Sequence, residues 1–423
     1  MQNFVLKGHI CYNQTPTELA VQEDGYLICE NGRSSGVFPV LPERYQNLPL
    51  VDCGDRLILP GMTDLHVHAS QYAFRALGMD MELLDWLNTN AFPEEAKFQD
   101  PEYARKAYGI FTENLKKSTT TRACIFATVH GEATEILMDQ MEASGLITYV
   151  GKVNMDRNAP DYLREESAEA SAQATVKWLE RTIGKYEHTR PILTPRFIPS
   201  CTDELMEALA GIQKQYHLPL QSHLSENQGE IAWVRELCPD ADSYGEAYDR
   251  RELLGTGGPT IMAHCVWSDE KERALLKKRN VFAVHCPQSN MNIASGIAPV
   301  RAFLKEGVPT GLGSDVAGGS SESLLRAMTD AIQASKLRWR LVDESQKPLI
   351  LEEALYLATK GGGSFFGKVG SFEPGYELDA VVLDDMRLAH PQTLTVKQRL
   401  ERLVYLGDDR DIWKKYVAGR EIR

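Results

Sequence analysis

Hydrophobic and polar positions fall into two regimes along the chain. Up to about residue 58, short alternating or β-branched pieces (NFVLKGHICYN, GYLICENG, GVFPVLP) are broken by Asn, Gly and Pro, a pattern that predicts a small sheet. YELDAVVLD at 376–384 and the terminal KKYVAGREIR have the same character. The two ends are therefore expected to meet in one β-sandwich domain, built from residues 1–58 and 371–423.

Between them, short apolar runs alternate with segments of helical period, which signals parallel β/α units. Candidate strands are ILPGMTDLHVH (58–68), TTRACIFAT (120–128), LITYVGKVNM (146–155), ILTPRF (192–197), PLQSHL (219–224), TIMAHCV (260–266), VFAVHC (281–286) and VPTGLGSD (308–315). One intervening helix can be read directly: after Thr202, the residues Leu205, Ala208, Leu209, Ile212 and Tyr216 fall on a single face. The expected fold is α/β, a (β/α)8 TIM-like barrel over residues 59–370. In such a barrel, chemistry sits at the C-terminal ends of the strands. GGGSFFG at 361–367 reads as a loop near the barrel's end.

Composition narrows this picture without redirecting it. The 423 residues are 43% hydrophobic and 25% charged, as in ordinary globular chains, and the net charge of −13 is spread rather than gathered in a tail. Such a surface repels nucleic acid and anionic membranes and favours a neutral or cationic small ligand. No apolar run reaches membrane-spanning length, and MQNFVLKGHI lacks the basic and apolar regions of a signal peptide, so a cytoplasmic protein is expected. The eight cysteines show no C-x-x-C spacing and read as reduced, buried small residues.

The candidate chemistry begins in LILPGMTDLHVHASQY, where an apolar run ends in His66 and His68. Two residues apart on a strand, both imidazoles point to one face, as a chelating pair requires. Further strands end in QSHLSE with His223, in MAHC with His264 and in GLGSD with Asp315. Any one of these histidines alone reads as a hydrogen-bonded structural residue. Four of them with an aspartate at one level of one barrel read as a metal site, and nitrogen and oxygen donors without thiolate suit zinc, with iron or manganese next.

PGMTDLHVHASQY, TPRF, QSHLSEN, HCPQSN and GLGSDVAGGSS together resemble the metal-dependent amidohydrolase superfamily. The resemblance runs almost end to end, including GKVNMD at 151–156 and LVYLGDDRDI at 403–412. H-x-H and the strand-end Asp are common to the superfamily and imply hydrolysis of some C–N bond; the contexts HASQY, TPRF and DVAGG imply guanine as the substrate. Carried over by position, the resemblance makes His66, His68, His223 and Asp315 the ligands of one Zn2+, with Fe2+ the runner-up. No lysine stands at the fourth strand end, where dinuclear relatives bridge two metals. His264 is then expected to hydrogen-bond the attacking water, and a homodimer is implied.

In these roles Asp315 accepts a proton from the water, while Glu226, three residues after His223, protonates the ring nitrogen and later the departing ammonia. The bland reading of Glu226 is a surface carboxylate. Arg196 offers a planar fork to the C6 oxygen and Gln71 can donate and accept at once on the purine edge. Phe197 reads equally as a ring-packing residue or plain core. Trp86 and Asn88 read first as structural residues and second as a loop over the site. His285, Ser289 and Asn290 are expected to shape their loop, and His130 to be a polar loop residue. GTGG at 255–258 lacks the setting of a phosphate loop. The enzymatic alternative is deamination of an oxidised guanine, a pterin or a triazine by the same machinery; a barrel that has lost catalysis is disfavoured because the full polar set is present.

Overall fold

The computed structural model describes residues 3–422. Eight parallel strands form the barrel in two four-stranded halves. The first half holds Met62–His68, Thr120–Phe126, Ile147–Gly151 and Thr189–Pro191; the second holds Leu220–Leu224, Thr260–His264, Phe282–His285 and Thr310–Leu312. Irregular backbone bonds close both seams. At one, Gln221 N–H donates to the Leu193 carbonyl at 2.9 Å; at the other, Asp315 N–H donates to the His66 carbonyl at 2.8 Å and His68 N–H to Val316 at 3.0 Å. The second seam brings the ends of the first and last strands side by side.

Every residue of Met62–His68 and Thr120–Phe126 is buried, because helices cover the outside and side chains fill the inside. The helix Asp203–Tyr216 follows its sequence pattern. Leu205, Leu209 and Ile212 are buried, Ala208 and Tyr216 half-buried, and the Thr202 hydroxyl caps the Leu205 N–H at 3.2 Å.

Three boundaries differ from the sequence reading. The run expected as one strand from 58 is two: Leu50–Pro60 belongs to the terminal sheet, and the barrel strand starts at Met62. Gly61 turns the chain between them where a Cβ would lie 2.3 Å from the Thr121 side chain. The fourth barrel strand begins at Thr189 rather than 192, while Thr194–Pro195 pairs with Val153–Asn154 in a small separate ladder. GGGSFFG is not merely a loop: Phe365 packs against Phe282 and Tyr149, ring centroids 5.3 and 5.7 Å away, and closes the floor of the barrel.

Both chain ends do meet. One continuous sheet runs in the order 420–421, 412–417, 380–383, 50–60, 4–13, 19–30, 33–38. It makes its sandwich by rolling over: the rings of Phe4 and Tyr416 stack at 5.1 Å, and Leu378 N–H donates to Gly32 at 2.9 Å. Buried charges tie this sheet to the barrel. Arg122 donates from Nε to Asp379 Oδ2 and from Nη2 to Glu377 Oε2, each at 2.7 Å, and Lys415 Nζ donates to the carbonyls of Ser118 and Thr120. All eight cysteines are buried. Among the described residues no helix is long and apolar enough to cross a membrane.

Candidate active site

The strands deliver their polar ends to one point. His66 and His68 extend from the first strand with their Nε2 atoms 3.2 Å apart, and His223 Nε2 is 3.2 Å from that of His68. Asp315 Oδ1 lies 3.2 Å from His66 Nε2 and 3.6 Å from His68 Nε2. His264 Nε2 sits on the other side, 3.7 Å from Asp315 Oδ2 and 3.3 Å from Glu226 Oε2. The backbone bends hard to achieve this. Ser225, His264 and Asp315 all have positive φ, at 48°, 73° and 48°, a region that non-glycine residues rarely occupy and that clusters at functional sites.

Neighbouring groups set the orientation of these side chains. The Arg196 carbonyl accepts from His223 Nδ1 at 2.6 Å, and Asn290 Oδ1 lies 2.9 Å from His264 Nδ1. Asp64 laces the first strand to the last, accepting from the backbone N–H groups of His66 and Ser314 and from the Ser314 hydroxyl. Phe126 packs against the rings of both His66 and His68, at 4.9 and 4.5 Å.

The donor set suits a cation. A carbonyl only accepts, so the proton of His223 is on Nδ1 and its Nε2 presents a lone pair toward His68. Burial pushes His66, His68 and His223 below the usual imidazole range, toward the neutral form that binds metal. Burial opposes ionisation of Asp315, yet His66 and His264 beside it draw it down to about 2. Converging lone pairs and one carboxylate, desolvated together, could bind a metal ion. Cys286 also approaches Asp315 and His264, but burial raises its thiol well above the usual range, so it faces them as a protonated hydrophobe.

Glu226 has the opposite bias. Burial, and then the charge of Asp315, raises its carboxyl well above the ordinary carboxylate range, against the hydroxyl of Ser295, which donates to it at 3.1 Å. It is not the surface carboxylate of the bland reading. A carboxyl so raised keeps its proton to higher pH than an exposed one does and can deliver it, as a general acid must.

Beside this cluster opens a cavity lined by Leu83, Trp86, Leu87, Phe197 and Ile293 on its apolar side and by Gln71, Arg196, Glu226 and Glu230 on its polar side. Apolar walls facing a few convergent polar groups suit a flat ring with a polar edge. Phe197 thus faces the cavity. Trp86 also lines it, from a helical segment rather than a loop, whereas the Asn88 side chain bonds back to the Leu84 carbonyl. His285 is buried away from the cavity, and Asn290 does more than shape its loop, since it orients His264.

Two acids escaped the sequence reading. Glu95, on the helix Phe92–Ala96, accepts from Gln71 Nε2 at 2.8 Å and from Arg196 Nη1 at 2.7 and 3.0 Å. Glu230 accepts from the backbone N–H of Glu226 at 3.0 Å and from the Tyr244 hydroxyl at 2.7 Å. Both read in sequence as ordinary first-turn helix acids; only tertiary proximity gives them another meaning.

Barrel, strand-end imidazoles and carboxylate define a hydrolase of the amidohydrolase type, and residues 57–422 match the signature of the "Amidohydrolase family", to which the chain belongs. Within it, the chain is similar to guanine deaminases. It is 38% identical over 382 residues to that of Dictyostelium discoideum, covering 88% of this chain and 84% of the relative. It is 33% identical over 411 residues to that of Escherichia coli K12, covering 94% and 91%. A crystal structure of guanine deaminase from C. acetobutylicum with guanine bound in the active site matches at a TM-score of 0.97 and 46% identity, over 100% of both chains.

Proposed function

We propose that the protein hydrolyses guanine to xanthine and ammonia. The observation that carries this reading is the pairing, across one cavity, of a cluster suited to a cation with the raised carboxyl of Glu226, opposite the hydrogen-bonding wall of Gln71 and Arg196. The similarity to guanine deaminases over nearly the whole chain supports the choice of base.

In this reading His66, His68, His223 and Asp315 would hold one Zn2+, with Fe2+ the runner-up by donor chemistry. Such a cation, when bound, lowers the pKa of a water from about 15.7 to about 7, so that hydroxide is at hand near neutrality.

The remaining steps belong to the protein's own groups. Asp315 takes the proton lost by the water, and His264, 3.7 Å from Asp315 Oδ2, holds the water's remaining hydrogen-bonding direction. As the C2–O bond forms, Glu226 gives its proton to the adjacent ring nitrogen. The ionised Glu226 then takes the proton of the new C2 hydroxyl and passes it to the exocyclic nitrogen, the C2–N bond breaks and ammonia leaves, and the proton held on Asp315 restores the Glu226 carboxyl. Arg196 donates to the C6 oxygen and Gln71 pairs with the neighbouring edge, while Phe197, Trp86 and Leu87 cover the flat ring and exclude water.

Similarity to guanine deaminases also supports a homodimer and a cytoplasmic setting as parts of this reading. The test is ammonia release from a panel of free bases, pterins and triazines by zinc-replete protein. Guanine is expected to be the preferred substrate; release from adenine or cytosine but not guanine overturns the assignment.

A further inference from the structure

The two residues that face the purine edge share one anchor. Glu95 is 1% exposed and Arg196 3%, so their ion pair is almost wholly out of water. Arg196 spends Nη1 on both Glu95 oxygens, and its guanidinium carbon lies 5.1 Å from the centre of the Phe92 ring. Gln71 donates from Nε2 to the same Glu95 Oε1, while its own carbonyl oxygen lies 3.4 Å from the Ala317 N–H.

Two consequences follow from elementary chemistry. A carboxylate can only accept, so turning the Gln71 amide over would set its carbonyl against Glu95 and its NH2 against the Ala317 N–H, replacing two attractions with two repulsions. The amide is therefore fixed in one of its two orientations. In addition, Arg196 without Glu95 would be an uncompensated buried cation and would favour an anionic ligand; the pair as a whole is neutral.

We infer that Glu95 is a positioning residue that sets substrate selectivity: by pinning Gln71 and balancing Arg196, it makes the cavity select a neutral purine with an oxygen at C6. The inference rests on the guanine reading above and adds to it the group that enforces that reading. It accounts for an acid placed among substrate contacts without facing the reacting carbon. A carboxamide at position 95 can donate as well as accept, so it releases the Gln71 amide to turn over and leaves Arg196 charged.

The test compares wild type with Glu95→Gln and Glu95→Asp, each zinc-replete and with metal content measured. Turnover of guanine and of 2,6-diaminopurine, which presents an amino group at C6, is measured together with inhibition by urate, an anionic purine. For Glu95→Gln, the kcat/KM preference for guanine over 2,6-diaminopurine is expected to fall by about tenfold or more, since a polar site rejects by leaving its own groups unpaired. Its urate Ki is expected to fall relative to its guanine KM. Glu95→Asp keeps the negative charge and is expected to retain the preference even where the rate drops. If Glu95→Gln changes both purines by the same factor, with urate inhibition unchanged, Glu95 is a structural residue only and the inference fails.

Should Glu95→Gln not fold, the wild-type comparison decides: urate binding as tightly as guanine overturns the inference. Failure of the wild type to deaminate guanine at all is a different outcome and refutes the functional reading instead.

Discussion

His264 Nε2 and Glu226 Oε2 face each other across 3.3 Å, with Asn290 Oδ1 behind the first and the Ser295 hydroxyl behind the second. Asn290 Oδ1 lies against His264 Nδ1, which turns the His264 Nε2 edge toward Glu226, a carboxyl that burial raises well above the ordinary carboxylate range. A Glu226→Gln variant preserves shape and hydrogen bonding but has no proton to give. Its kcat is expected to fall by about 10²- to 10⁴-fold, with metal content and thermal midpoint close to wild type. Ammonia release beside elemental analysis checks this, and a normal rate would remove Glu226 from the proton path.

Three imidazole Nε2 atoms and a carboxylate oxygen converge within a buried cluster, with His66, His68 and His223 biased toward the neutral form. Lone pairs so arranged repel unless a cation lies among them. Chelation is therefore expected to lower the thermal midpoint as well as to stop turnover, and zinc to restore both at one ion per chain. At free metal a hundredfold above Kd, the stabilisation is about 2.7 kcal/mol. A His66→Ala variant should bind far less metal than wild type. A midpoint indifferent to chelator would contradict the site.

Glu230, behind Glu226, supplies a further pH dependence. Burial, and then the nearness of the Glu226 carboxyl, raises its carboxyl from 4.5 to about 7. The folded chain thus binds more protons than the unfolded one between those values. The resulting stability is fully present below the lower value and lost as pH rises through the upper. The shift corresponds to something on the order of 3 kcal/mol. In metal-free protein, the stability of wild type relative to Glu230→Gln is expected to fall across this window in urea titrations. A difference that stays flat with pH would refute the raised carboxyl.

Which parts of this molecule could be read from sequence depends on how local their causes are. Strand parity is local, so His66 and His68 announce a shared face, and strand-end positions place His223, His264 and Asp315 at one level of the barrel. The break at Gly61 is hidden because Leu57–Pro60 and Met62–His68 are both buried, one in the terminal sheet and the other in the barrel. Glu95 is hidden because its partners, Gln71 and Arg196, lie 24 and 101 residues away in the chain, and FPEEA resembles any acidic helix start. Phe365 reads as part of a glycine-rich loop until the barrel floor it closes is built.

Arg122 shows how the same barrel strand carries stability at one end and chemistry at the other. Its guanidinium is 3% exposed and pairs with Asp379, itself 1% exposed, which also accepts from the Ala418 N–H at 2.8 Å. Phe126, four residues along the strand, packs on His66 and His68; at about 3.3 Å per residue, the clamp lies some ~13 Å from the site. Arg122→Met strands the buried Asp379 charge against the terminal sheet, and the expected loss is about 3–5 kcal/mol, read as a lower denaturation midpoint. Guanine KM should not move. Replacing Asp379 by Asn in the same chain removes the stranded charge, so the double variant is expected to recover part of the loss, a coupling that independent sites would not show. A single variant as stable as wild type would mean that the Arg122–Asp379 pair contributes nothing to holding the two domains together.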